Sequence, residues 1–339
     1  DKLKDNPELH DKIEFEISFN CFSPITDHRL NEVKKILSQS QYDEIRNSLI
    51  NLTKNIFNDF DQIKNEDIDA LKTLEKKRIE KIERYNTCEL QGKISLVVKL
   101  LDDVRKLGTP QFSRMARLAF IGNQYLKGLV ASGVIDQGDA ENYFSSIETV
   151  ASNLNTDFTR VITKQLSLKE FNNIYGHLRP GTYNINNLPY YKMPNYFNLE
   201  PDLDKTAYSD QEKKYDSKKF KDKIEKYLKK FEISISTDFL LRFIEETTKY
   251  RESFKFEFTK NLSLAIEWLA EIGNEFGFSR EELSLLTIES LKGVSSSTPL
   301  PEIFELWESQ IKGRKLKHNI SNYVTLPSLI FEKDDLGDS

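Results

Sequence analysis

The chain has 339 residues, 38% of them hydrophobic and 30% charged, with only 13 glycines and 10 prolines, a balance that suits helical domains with long polar faces. Its net charge of -5 supplies no overall field for nucleic acid or an anionic membrane. No apolar run approaches the ~20 residues of a transmembrane helix. Cys21 and Cys88 show no CxxC spacing and no histidine at metal-ligand distance, which reads as free thiols in a reducing, cytoplasmic compartment.

The sequence begins on Asp1 without a signal peptide, which raises the expectation of a segment cut from something longer. Ile13, Phe15, Ile17, Phe19 and Cys21 alternate with polar residues, the period of a half-buried strand that needs partners elsewhere. Helical structure is expected from Pro24 to Leu37. An amphipathic helix follows through Tyr42, Ile45, Leu49, Leu52 and Ile56. Asp61 to Tyr85 shows a narrower stripe of Ile68, Leu71, Leu74, Ile79 and Ile82 among charge pairs four residues apart, a solvated helix face.

Leu90 to Leu107 reads as a helix stopped at Gly108, with Pro110 just beyond. The next runs from Phe112 to Gly133 and carries Arg114 and Arg117 among apolar and small residues, where carboxylate partners within the fold are expected. Asp136 is placed as the cap of one helix through Tyr143 to Thr163. Ser167 and Glu170 form a capping box ahead of Phe171 and Ile174, and Gly176 stands where a helix uses a left-handed stop. His177, Arg179 and the Pro180-Gly181 turn follow at once, ringed by Tyr175, Tyr183, Tyr190, Tyr191 and Tyr196. So specified a loop is either a structural clamp or a site.

Residues 201–230 are nearly all polar with acids and lysines interleaved, a mobile insertion or linker ending in a short helix rather than a nucleic-acid surface. Thr237-Asp238 opens what reads as the longest helix, with one apolar stripe from Phe239 to Ile272 broken only at Thr247. Ser279 to Glu282 is another capping box, and Pro301 opens a helix to about His318. Tyr323 to Phe331 reads as extended. There is no repeat of fixed period. The expected fold is mostly α, a multi-helix bundle with a few short strands near the termini and at the GHLRPGTY loop. Its expected divisions are 1–24, 25–200, 201–232, 233–320 and 321–339.

GxxxxGK[ST], GxGxxG, HExxH and GxSxG are all absent, and none of His10, His28, His177 and His318 has a partner three or four residues away that makes a recognisable metal site. No catalytic or metal site is therefore assigned, and no cofactor is expected to be bound by this chain.

GHLRPGTY resembles an element of the phosphoenolpyruvate-utilising phosphotransferases, the family of phosphoenolpyruvate synthase, pyruvate phosphate dikinase and rifampin phosphotransferase. PELHDKIEFEI at 7–17, LGTPQFSRMARLAFI at 107–121, KFEFTKNLSLAIEWLAEIG at 255–273 and LPSLIF at 326–331 are similar to a subgroup found with capsule polysaccharide biosynthesis, L-glutamine kinases among them. The family joins an N-terminal ATP-grasp domain, a middle region and a C-terminal phosphohistidine domain. None of the four histidines lies in the family's phosphocarrier context, and the Gly-rich ATP-grasp loops are missing. The resemblance therefore implies a middle region, inactive alone, with residues 1–24 docking on the ATP-grasp domain and 321–339 leading toward the phosphohistidine domain. It implies ATP and Mg for the whole enzyme, and a small acceptor such as L-glutamine or pyruvate.

Residues with the chemistry for acceptor binding are His177, Arg179, Tyr183, Arg117 and Lys260. An arginine in a rigid loop offers a fork to a carboxylate or phosphate, and a histidine a donor or base near neutral pH. The alternative is a non-catalytic helical linker or dimerisation module, and homodimerisation is among the contacts expected.

Overall fold

The computed structural model describes residues 20–193, 217–321 and 323. Among them the regular elements are helices and there is no strand. α1 (Thr26–Val33) leads into α2 (Gln39–Tyr85), α3 (Leu90–Leu107) and α4 (Thr109–Ala131). α5 (Gln137–Ser145), α6 (Val150–Ile162) and α7 (Leu168–Tyr175) precede a loop that closes with a 3₁₀ turn at Tyr190–Lys192. α8 (Ser217–Leu228), α9 (Thr237–Glu275), α10 (Arg280–Leu283), α11 (Ile288–Lys292) and α12 (Leu300–Ser321) follow.

The fold is mostly α, as composition and periodicity predict. The strand expected at the GHLRPGTY loop is not formed, because that segment spends its backbone groups on turns and on its own return. The strand expected at 13–21 lies outside the described residues except for Asn20 and Cys21, which have no regular structure. The polar stretch 201–216 and the extended stretch beyond Tyr323 also lie outside them.

The two helices expected between Tyr42 and Tyr85 are one, α2, 47 residues long and longer than α9 at 39. No glycine or proline interrupts residues 39–85, and Phe57 and Phe60 at the expected junction are buried rather than turned out. The stripe itself is only partly buried: Leu49, Leu71 and Leu74 pack inward, while Ile45, Leu52, Ile79 and Ile82 are exposed. Conversely, the single helix expected after Asp136 is two. Asp136 caps α5, and Thr149 with Ser152 forms an unforeseen capping box that restarts the chain as α6.

α9 is the axial element. It packs along α3 and α4 and touches α2, α6, α8 and α10. Gly108 lies against Phe258 and Gly122 against Ile244, so α4 runs antiparallel to it. Its first half joins a core with Phe57, Phe60 and Tyr125, where the Phe57 and Phe60 rings meet Phe243 at 5.0 and 4.8 Å. Its second half joins another with Leu96, Leu100, Ile303 and Trp307, where Tyr85 stacks on Trp268 at 4.0 Å. Each fully buried large side chain contributes about 1.5–3 kcal/mol. The stripe of α9 is therefore one face of a helix covered on several sides. Thr247 does not break it, being buried with its hydroxyl donating to the Phe243 carbonyl.

Candidate functional site

The site forms where the loop after α7 lies on the middle of α9. The capping box of α7 is present as expected, with Ser167 Oγ accepting from the Glu170 amide and the Glu170 carboxylate accepting from the Ser167 amide. Gly176 is not the left-handed stop expected of it, since its φ of -58° is right-handed. Glycine is required there for a different reason: a Cβ would lie 2.3 Å from the Asn172 carbonyl oxygen. The 3₁₀ turn then folds back, with the Tyr190 amide donating to Leu178 O and the Tyr191 amide to Gly176 O. Residues 176–191 thus form a closed loop.

Arg179 fastens this loop to α9. Its side chain is 1% exposed. Nη1 donates to Asn187 O at 3.0 Å, and Nη2 to Ser263 Oγ at 2.8 Å and Glu267 Oε1 at 3.2 Å. Glu267, 3% exposed, also accepts from Lys192 Nζ at 2.7 Å and from Arg280 Nη1 and Nη2 at 3.0 and 2.7 Å. Arg280 donates further to Ile185 O, so one carboxylate ties the loop, the 3₁₀ turn and α10 to the central helix.

Burial pushes the Glu267 carboxyl up, but hydrogen bonds from Arg280 and Lys192 outweigh it and hold the group below the usual carboxylate range. Burial draws the Arg179 guanidinium down against the attraction of Glu267, from a starting value so high that it stays charged.

His177 faces the other side of the loop. It donates Nε2–H to Phe256 O at 3.2 Å and meets the Phe256 ring edge-on at 4.7 Å. Burial, then the charge of Lys260, lowers its pKa to about 4, so the imidazole is neutral near pH 7. It lines a cleft of about 410 Å³ with Glu75, Arg78, Asn172, Tyr191 and Lys260, and Glu267 at its edge. Arg78 is held by Glu75, and Lys260 lies over the Phe256 ring with Glu257 accepting from its ammonium at 2.8 Å. The Asn172 Oδ1 oxygen is buried there without a hydrogen-bond partner. Two partly exposed cations and an unused acceptor are groups that can hydrogen-bond a small polar ligand.

Of the residues singled out from sequence, the structure brings His177 and Lys260 together at this cleft, with Arg179 buried behind it in the clamp. Tyr183 is 68% exposed over a separate shallow depression bounded by Gly181, Thr182 and Ser284. Arg117 is exposed on α4 and does not line the cleft, whereas its neighbour Arg114 takes the expected buried partner, Asp67. Glu267, Arg280, Lys192, Arg78 and Glu75 are not visible as site residues in the sequence. One signal is there for Glu267: a carboxylate inside the apolar run LAIEWLA is buried at low cost only against a cation. Among the described residues no cluster of three or more His, Cys, Asp or Glu could hold a metal ion. No described helix is long and apolar enough to cross a membrane.

Comparison with known protein families, curated proteins and solved structures finds no match for this chain.

Proposed function

We propose that the chain is the central helical region of an ATP-dependent phosphotransferase of the phosphoenolpyruvate-utilising type, with the His177 cleft on its acceptor side. The reading rests on one observation: the loop on which the resemblance is most specific folds over the cleft that holds His177, Lys260 and Arg78. In this reading ATP, Mg and the phosphohistidine belong to domains outside the chain. The cleft takes a small acceptor such as L-glutamine or pyruvate, and Arg179 positions the loop rather than the ligand. Lys260 and Arg78 can draw in a carboxylate, while the neutral imidazole, its Nε2–H given to Phe256 O, forms part of the cleft wall.

Titration calorimetry of the full chain with L-glutamine, pyruvate and inorganic phosphate tests it. One of the three is expected to bind, with affinity reduced about tenfold by Lys260→Met. Binding untouched by Lys260→Met and His177→Gln would move the site elsewhere. No binding by any of them, with the helical fold intact, would leave the second reading, a non-catalytic linker. That reading is favoured by Arg179, whose forked nitrogens are committed inside the fold.

A further inference from the structure

The outer face of α12 is built for a partner. Its last buried residue is Ile311, and residues 312–321 are all exposed. These last three turns extend a helix already anchored by its buried first half, and no side chain of theirs is buried in the fold. Glu302, Leu306, Ser309, Gly313, Leu316 and Ile320 recur at spacings of four and three residues and are all exposed, the apolar ones at 41%, 64% and 59% for Leu306, Leu316 and Ile320. This is the seam period of paired helices, carried on the side opposite Ile303, Trp307 and Ile311.

Gly313 sits at the middle of that seam. A Cβ there would meet nothing within 4 Å, so no neighbour in the fold requires glycine at a position where it weakens the helix. Close approach of a second backbone gives it a reason.

Charge names the partner. Up to residue 308 the helix carries Glu302, Glu305 and Glu308, the last paired with Lys312 of the same helix; from 312 onward it carries Lys312, Arg314, Lys315 and Lys317, and residues 309–321 contain no carboxylate. A helix split this way is complementary to itself only when reversed. A parallel pair would set like charge on like charge. We propose that α12 docks antiparallel against α12 of a second copy of this chain, related by a two-fold axis midway between Ser309 and Gly313. Leu306 then faces Leu316 of the other copy, with Ser309 against Gly313 between the two apolar layers. The same patch serves both partners, as a two-fold interface requires. One helix pair buries less area than a standard interface, so a weak, concentration-dependent dimer is expected. The inference is independent of the phosphotransferase reading, since it uses no residue of the His177 cleft.

Sedimentation velocity of the full chain is expected to show a concentration-dependent monomer–dimer equilibrium. Lys317→Glu should weaken it several-fold, and adding Glu305→Lys, the other charge flanking the seam, should bring it back to within about threefold, a rescue that misfolding cannot mimic. In a Cys88→Ser background, Leu306→Cys and Leu316→Cys chains should cross-link when mixed and neither with itself. A monomer at every concentration would overturn the proposal. So would a dimer indifferent to the charge reversal, or Leu306→Cys linking to itself as a parallel pair does.

Discussion

Replacing Glu267 by glutamine removes one charge from the node that holds the loop, α9 and α10 together. The amide keeps the shape and one acceptor but leaves the Arg179 side chain, 1% exposed, with no counter-charge. Breaking a buried pair in this way costs about 3–5 kcal/mol. Lys192 and Arg280, whose side chains are 35% and 24% exposed, can turn to water and add little. The glutamine oxygen still accepts one hydrogen bond, so the low end applies, about 3 kcal/mol. Urea denaturation followed by circular dichroism measures it, with Lys72→Met as reference. The Lys72–Asp69 pair is 72% and 73% exposed and should contribute less than about 1 kcal/mol. The double variant Glu267→Leu with Arg179→Met should recover most of the loss, since the buried charge leaves with its partner. A loss below about 1 kcal/mol for Glu267→Gln at unchanged denaturant slope would refute the clamp, because a solvated pair would behave that way.

The pH dependence of stability should carry the signature of His177. Its pKa is about 4 in the fold against 6.5 ordinarily, so the unfolded chain takes up the proton first as pH falls. Stability is therefore fully present above pH 6.5 and declines toward pH 4, by at most about 3 kcal/mol. Glu267, lowered in the fold, extends the loss further down as pH passes through its folded value. Urea midpoints of the chain and of His177→Gln across this range should diverge, and parallel curves would show an exposed imidazole. Ser167→Ala should cost about 1 kcal/mol by removing the cap of α7, read as faster amide exchange in residues 168–175. Unchanged exchange would mean that packing of Phe171, not the cap, holds the helix.

The helical class, the bounds of α3, and the capping boxes at Ser167 and Ser279 were legible in the sequence because each depends on neighbours within a few residues. A serine three positions ahead of a glutamate, or a glycine after eighteen helical residues, carries its reason with it. The two errors of division show the limit of local reading. Residues 57–60 have no breaker, so α2 continues through them, whereas residues 146–149 hold a restart signal only as strong as Thr149 and Ser152.

At the site, the sequence placed His177 and Arg179 on a tightly specified loop after α7, and Lys260 on the helix it meets. It could not place Glu267, 88 residues beyond Arg179, against that guanidinium, nor say that both would be buried. Which face of α9 receives the loop depends on how α3, α4 and α2 have already covered the others. That competition for one helix's surface is settled by packing across the whole chain. It turned the arginine of the loop inward as a clamp and left the imidazole, made neutral by burial, beside the open cleft.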